Sequence, residues 1–203
     1  MTPNLRSCAP LICLAVLSAC GERAPGTAGP AAGGTPSVSE AAKAADSQAR
    51  EKAAAAREAE RLAALWNYHD VAVEKGRQLT ASLFSTNDVE TGGQGGARVQ
   101  LVFRDHASWG RSSYLVLRAG DFNCHGGCTV PVIVDEAAPK PMAARRPRTD
   151  EAIAMFINDA RTLWRLTAGA NRLSVEFPVT AGGTRTATFD VAGLDRSKMP
   201  GWD

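Results

Sequence analysis

The chain of 203 residues has few aromatic residues, few histidines and no long apolar run, and its charges nearly balance. Aromatic residues make up 6% of the chain, and only 3 residues are histidine. No apolar stretch reaches the roughly 18–20 residues that a membrane-spanning helix requires, which excludes a polytopic membrane protein. The formal net charge of +2 gives no electrostatic reason to expect nucleic acid as a partner.

Motifs that would identify an enzyme are also missing. The chain contains no Gly-x-Ser-x-Gly elbow, no His-Glu-x-x-His helix and no paired carboxylates in a recognisable setting. The glycine-rich segment at 92–96 lacks the Lys-Ser/Thr of a phosphate-binding loop, and the pattern that follows it is typical of a strand. We therefore expect a protein that is not an enzyme and that uses no cofactor and no metal.

The N-terminal residues have the pattern of an export signal. Arg6 precedes about ten mostly apolar residues, which is the length of a signal-peptide core. The tetrapeptide Leu-Ser-Ala-Cys at 17–20 closely resembles the lipobox of bacterial lipoproteins. That resemblance implies that residues 1–19 are removed and that Cys20 becomes a lipidated N-terminus, carrying acyl chains such as palmitate. Because Gly21 rather than Asp follows, we expect anchoring in the outer membrane, facing the periplasm. The alternative is an ordinary secretory signal.

Two segments of different composition follow the predicted anchor. Residues 20–38 are rich in Gly, Pro, Ala and Thr, and they cannot bury enough apolar surface to fold, which predicts a disordered tether. Residues 39–61 are rich in Ala, Glu, Lys and Arg and predict a helix. This helix has no sustained coiled-coil seam. We expect it to be a lone spacer; assembly through its alanines is the alternative.

Residues 62–195 are predicted to form a β-rich periplasmic domain, and residues 196–203 a tail. Apolar and polar residues alternate over 98–104, and similar patterns over 112–118 and 129–135 predict two further strands. Pro131 cannot donate a hydrogen bond to a neighbouring strand, so we expect the last of these strands to lie at an edge or to contain a bulge.

The C-terminal part of this domain combines a predicted helix with a predicted hairpin. Thr149 caps a predicted helix over 150–166, whose apolar residues have helical spacing. A hairpin is predicted over 173–191. The fold class expected from these patterns is α+β, an antiparallel sheet or small β-sandwich with one packed helix, preceded by the Ala-rich spacer helix.

A weaker resemblance covers about residues 97–194. The segment Gly-Asp-Phe-Asn-Cys at 120–124, the residues Cys-Thr-Val at 128–130 and the residues Phe-Asp-Val-Ala-Gly-Leu at 189–194 resemble small proteobacterial periplasmic domains. In element order the chain is distantly similar to the invasion-associated locus B family of periplasmic β-sandwiches. The resemblance implies a β-rich exported fold, and it brings no catalytic residues with it.

The cysteines predict a disulfide. Two of the five lie in the export signal and Cys20 takes lipid, so Cys124 and Cys128 remain. In an oxidising periplasm such a pair is expected to be bonded, with the intervening glycines supplying the bend. A metal-binding or redox pair that includes His125 is the alternative.

Basic residues are concentrated in a proline-rich segment at 139–147 and just after it, which predicts a solvated loop. The same residues could instead bind an acidic partner or an anionic envelope polymer. The candidate partner-binding residues are Lys140, Arg145, Arg146 and Arg148.

Together these patterns favour a non-enzymatic outer-membrane lipoprotein whose β-rich domain binds another envelope protein. One alternative is an immunity or inhibitor lipoprotein that neutralises a toxin or lytic enzyme in the periplasm. A second alternative is a metal-binding or redox protein that uses Cys124 and Cys128.

Overall fold

The computed structural model describes residues 38–92, 95–148 and 153–203. The predicted export signal, Cys20 and nearly all of the predicted tether lie outside these residues, as does the predicted helix cap at Thr149. Among the described helices, none combines the length and the apolar character that crossing a bilayer demands. Residues 42–203 form one compact unit; of the unit before it, only residues 38–41 are described.

The alanine-rich segment forms helix α1 (Val38–Ala63). Alanine has the highest intrinsic helix propensity, and ion pairs one turn apart, such as Asp46–Arg50 at 2.8 Å, add a small stabilisation. Every described side chain before Leu62 is exposed. The helix is therefore stabilised by local interactions rather than by packing against a core.

Within the residues that the structure describes, nine antiparallel strands form a single sheet. In chain order they are β1 (Asn67–Val73), β2 (Gly76–Val89), β3 (Ala97–His106), β4 (Gly110–Val116), β5 (Cys128–Val134), β6 (Lys140–Arg145), β7 (Ala154–Ile157), β8 (Arg172–Pro178) and β9 (Thr184–Asp190). Their order across the sheet is β1-β2-β3-β4-β7-β6-β5-β8-β9. Helix α2 (Ala160–Leu166) joins β7 to β8, and a short 3₁₀ turn (Arg196–Lys198) follows β9. The described fold is mostly β, an antiparallel sheet with two helices, and agrees in broad outline with the predicted α+β class.

The helix predicted over 150–166 is wrong in its described first half. Residues 154–157 form β7, and α2 begins only at Ala160, where the Asp159 side chain accepts a hydrogen bond from the N–H of Thr162. The short apolar run before Ala160 fits the period of a strand as well as that of a helix. Pairing with β4 on one side and β6 on the other decides in favour of the strand.

The predicted basic loop is also wrong in part, because residues 140–145 form the internal strand β6. Met142 and Ala144 of this strand are buried, and they alternate with exposed residues. The expected edge position of β5 is wrong as well, since β5 lies between β6 and β8. Pro131 is tolerated there because β5 pairs with β8 only from Val132 onward, so its missing N–H falls beyond the end of that ladder.

Phe103 of β3 lies at the centre of an aromatic core. Its ring centroid is 6.3 Å from that of Trp66, 5.1 Å from that of Trp164 in α2 and 5.5 Å from that of Trp202. Trp202 and Met199 belong to the segment that the sequence predicts as a tail, yet both are buried. The two side chains therefore hold the segment 196–203 against the core, although most of its other residues are exposed.

The side chain of Asn87 in β2 hydrogen-bonds to β9, the strand at the far end of the sheet. The Asn87 side chain donates a hydrogen bond to the carbonyl of Thr186 and accepts one from the N–H of Thr188, both at 2.9 Å. The pairing of β2 with β3 shifts register between Phe84 and Asp88, just where these bonds form. Because Asn87 satisfies the backbone of β9 in this way, that edge of the sheet is covered.

We expect Trp202→Ala to lower the free energy of unfolding by about 3–5 kcal/mol, the usual range for truncating a buried tryptophan. Trp109→Ala is the matched control: its side chain lies in the turn between β3 and β4 and is 70% exposed. That control should change stability by less than about 0.5 kcal/mol. Urea unfolding followed by circular dichroism measures both. A similar small loss for Trp202→Ala would contradict the packed C-terminal segment.

Candidate functional site

The most distinctive surface of the domain is the outward side of strands β3, β4, β7 and β6. Side chains alternate between the two faces of a strand, and the other set on these strands is buried. One row of paired residues crosses the sheet here, from Tyr114 to Phe156 and on to Arg145. We call the surface the basic-aromatic face and define it by five residues: Arg104, Trp109, Tyr114, Arg145 and Phe156.

These five side chains stack in a continuous strip. The rings of Tyr114 and Phe156 are 4.9 Å apart, and the guanidinium of Arg145 lies 6.0 Å from the Phe156 ring. At the other end, the guanidinium of Arg104 lies 5.3 Å from the rings of both Tyr114 and Trp109. Such cation–π contacts hold the guanidinium groups against the rings and restrict their motion.

Trp109 is a rigid, exposed aromatic surface at one end of this strip. The other three tryptophans are at most 5% exposed, whereas Trp109 is 70% exposed. Its indole stacks on the buried His106, with ring centroids 3.9 Å apart and planes inclined by 14°. The Nδ1 of His106 accepts a hydrogen bond from the N–H of Ser108, which fixes the imidazole. His106 thus packs against the indole, while most of the Trp109 side chain stays exposed to solvent.

The basic-aromatic face carries positive charge that has no nearby counterion. The Nε of Arg104 donates to the Ser112 hydroxyl at 3.2 Å, and among the described residues neither Arg104 nor Arg145 forms an ion pair. The outward positions of β3, β4, β6 and β7 include no carboxylate. Burial raises the pKa of Tyr114, and the charge of Arg104 offsets this only in part, so its hydroxyl stays protonated at neutral pH.

The four basic residues predicted as a partner-binding group are not brought together. Arg145 lies on the basic-aromatic face, whereas the alternation of β6 places Lys140 on the same side as the buried Met142. Arg148 is exposed beyond the end of the strand, and Arg146 is buried. Only Arg145 of the four belongs to the surface that we take as the candidate site.

Arg146 holds the loop that precedes β5. Its side chain is 6% exposed, and its Nε donates to the carboxylate of Asp121 at 2.7 Å. The N–H of Arg146 also donates to the carbonyl of Cys124 at 2.8 Å. Burial raises the pKa of Asp121, but hydrogen bonds from Arg146 and from the N–H of Phe122, with the charge of Arg146, lower it further than burial raises it. The carboxylate therefore stays ionised.

The predicted disulfide is present. The sulfur atoms of Cys124 and Cys128 are 2.08 Å apart, and the N–H of Gly127 donates to the carbonyl of Cys124 to close the turn. Among the described ranges, no group of three His, Cys, Asp or Glu side chains is arranged to hold a metal ion. An open cleft of about 520 Å³ lies between this loop and β6, and Arg145 lines it together with His125.

Sequence reasoning missed most of the basic-aromatic face. Phe156 lies within the helix predicted over 150–166, where its spacing predicts a buried residue, and Tyr114 lies within the strand predicted over 112–118. Trp109 gave a usable signal, because a large aromatic residue in the short turn between two predicted strands has nothing to pack against locally. Arg104 occupies an ordinary polar position of the strand predicted over 98–104, and nothing in the sequence marks it as part of a binding surface. No protein family, curated protein or solved structure matches the chain.

The neighbours Arg145 and Arg146 provide a matched pair of stability variants. We expect Arg146→Met to lower the free energy of unfolding by about 2 kcal/mol, because Asp121 loses its charged hydrogen-bond donor in a half-buried position. Arg145→Met, at an exposed position, should change it by less than about 0.5 kcal/mol. Equal effects of the two changes in urea unfolding would contradict the structural role of Arg146.

The difference between wild type and Arg146→Met should depend on pH in one direction. The pKa of Asp121 is lower in the folded protein than in the unfolded chain, so its contribution to stability is fully present above the ordinary aspartate pKa of about 4. It is lost as pH falls through the depressed folded value. Unfolding curves repeated from neutral to acidic pH should therefore converge for the two proteins at the acidic end. A difference that grows on acidification would overturn this assignment.

Proposed function

We propose that this protein is a non-enzymatic lipoprotein of the bacterial outer membrane whose β-rich domain binds another envelope protein. The observation that carries the binding role is the basic-aromatic face. Tryptophan, tyrosine and arginine are the residues that contribute most to the energy of protein interfaces, and here they form one strip on an open sheet. Scattered exposed apolar residues would not support such a proposal, because they are normal on any protein surface.

The geometry of the strip also favours binding. Ordering flexible side chains at an interface costs about 0.5–1.5 kcal/mol for each one immobilised. The rings and guanidinium groups of the face are already stacked on one another, and Trp109 is fixed by His106. A partner that docks on this strip would therefore lose little of its binding energy to ordering the surface.

The proposed anchoring is supported by the lipobox resemblance at 17–20 and by the character of α1. Its 26 residues span about 39 Å at 1.5 Å per residue, and its exposed surface needs no packing partner. A tether and a helix of this length would let a domain anchored through Cys20 search the periplasm around its attachment point. A domain that can move this far from its attachment point is suited to binding a second envelope protein.

The anchor is tested by exchanging single cysteines. We expect mass spectrometry to find the mature chain beginning at an acylated Cys20, and fractionation to place the protein with the outer membrane. Cys20→Ser should release the protein into the soluble periplasm. Cys13→Ser, inside the predicted signal, is the control and should leave the protein in the membrane fraction. An unmodified thiol at Cys20 would reject the lipoprotein proposal.

The partner is tested by site-specific photo-crosslinking in intact cells. A photoreactive amino acid replaces the exposed Ala143, which points to the same side as Arg145, and in a control it replaces the exposed Thr184 of β9. We expect a discrete crosslinked protein from Ala143 only, and its loss when Trp109→Ala is added. Its identity decides the role, because a toxin or lytic enzyme would favour an immunity function. Equal crosslinking from both positions would argue against the face.

A further inference from the structure

The two arginines of the basic-aromatic face define the chemistry of what binds there. Guanidinium groups only donate hydrogen bonds, and they keep their charge at any physiological pH. Among the described residues, Arg104 and Arg145 have no carboxylate partner. A neutral ligand that covered them would bury two uncompensated charges, which is costly. The ligand must therefore supply negatively charged acceptors.

The spacing of the two arginines sets the spacing of those acceptors. Arg104 and Arg145 are separated by three strand-to-strand steps, from β3 across β4 and β7 to β6, which is about 14 Å. Arg104 of β3 is paired with Ser112 of β4, whereas the row that ends at Arg145 passes through Tyr114, two residues further along β4. This offset separates the two arginines by about 7 Å further along the strand direction. Their Cα atoms are thus about 16 Å apart on this lattice.

An extended peptide matches that distance with a simple pattern. It advances about 3.3 Å per residue and directs alternate side chains to the same side, so positions i and i+4 are about 13 Å apart. The long side chains of arginine and glutamate cover the remaining gap. The side chain at i+2 then falls midway between the two arginines, beside the paired and half-buried rings of Tyr114 and Phe156.

We propose that the basic-aromatic face binds an extended acidic segment of a protein, with carboxylates at i and i+4 and an apolar side chain at i+2. This inference rests on the proposed binding function and adds the chemistry of the partner. The carboxylates pair with Arg104 and Arg145. The segment that binds Arg104 also lies beside Trp109, because the Trp109 ring centroid is 5.3 Å from that guanidinium.

Two other classes of ligand fit this surface less well. The hydroxyl oxygens of a neutral glycan could accept hydrogen bonds from Arg104 and Arg145, but a neutral glycan carries no charge to compensate the two guanidinium groups that it would cover. An anionic membrane attracts clusters of about 4–8 lysines and arginines, whereas here two cations are about 16 Å apart with half-buried rings between them. Binding to an anionic membrane is tested below with lipid vesicles.

Trp109 reports binding without any label. Because the other three tryptophans are buried, quenching of fluorescence by acrylamide should come mainly from Trp109. The probe is the synthetic peptide Gly-Thr-Glu-Thr-Val-Thr-Glu-Thr-Gly, whose threonines favour an extended chain. The control peptide is Gly-Thr-Val-Thr-Glu-Glu-Thr-Thr-Gly, which has the same composition with its glutamates adjacent. Trp109→Phe should abolish the quenching signal and so verify the reporter.

We expect the spaced peptide to protect Trp109 from acrylamide, to bind at least about tenfold more tightly than the control peptide, and to weaken with added salt. Arg104→Met and Arg145→Met should each cost about tenfold in affinity, which is the lower range for a close charge pair. Arg57→Met, an exposed cation in α1, is the matched control and should bind as wild type does. Urea unfolding confirms that each variant is folded.

Several results would overturn the inference. These are equal binding of the two peptides, no binding of either, unchanged affinity in both arginine variants, or protection of Trp109 by vesicles of phosphatidylglycerol and phosphatidylethanolamine but not by the spaced peptide. The two proposals fail separately. Crosslinking at Ala143 without binding of the spaced peptide would reject the acidic pattern alone. Binding of the peptide without a crosslinked envelope protein would reject the proposed function and leave the acidic pattern supported.

Discussion

The packing of Phe103 against three tryptophans is the constraint on which the rest of the domain depends. It joins β3 to α2, to the start of the domain and to its last residues in one aromatic core. Because neighbouring residues of a strand point to opposite faces, burying Phe103 forces Arg104 outward. The same alternation in β4 buries Leu115 and turns Tyr114 out. The basic-aromatic face is thus the outer side of the strands that build the core.

The sequence predicts those parts of the fold whose signals are local. Strands β3, β4, β5, β8 and β9 each show enough alternation to be found, and α1 follows from the propensity of alanine. Strand β7 could not be found, because four apolar residues before a real helix fit either period and only pairing with β4 and β6 decides between them. The edge position predicted from Pro131 is wrong for a similar reason. Whether the sheet tolerates a proline in β5 depends on where the pairing of β5 with β8 begins.

The site was harder to predict than the fold because its residues come from strands that are not neighbours in sequence. The disulfide follows from the expected compartment and from the short spacing of the two cysteines. The role of Arg146 does not, because its partner Asp121 is 25 residues away. The row from Tyr114 to Arg145 requires the strand order β4-β7-β6, in which β7 inserts between two strands that precede it in the chain. No period within a single segment contains that information.

The adjacent residues Arg145 and Arg146 illustrate how the fold creates selectivity. Arg146 points inward, where Asp121 neutralises it and fixes the disulfide loop, whereas Arg145 points outward and lies against Phe156. An outward cation held on an aromatic ring attracts an acidic partner, and it repels a basic one at a cost of several kcal/mol when charges of like sign are brought together. Since the outward positions of β3, β4, β6 and β7 include no carboxylate to screen it, the proposed binding face would disfavour a basic partner through the same charges that favour an acidic one.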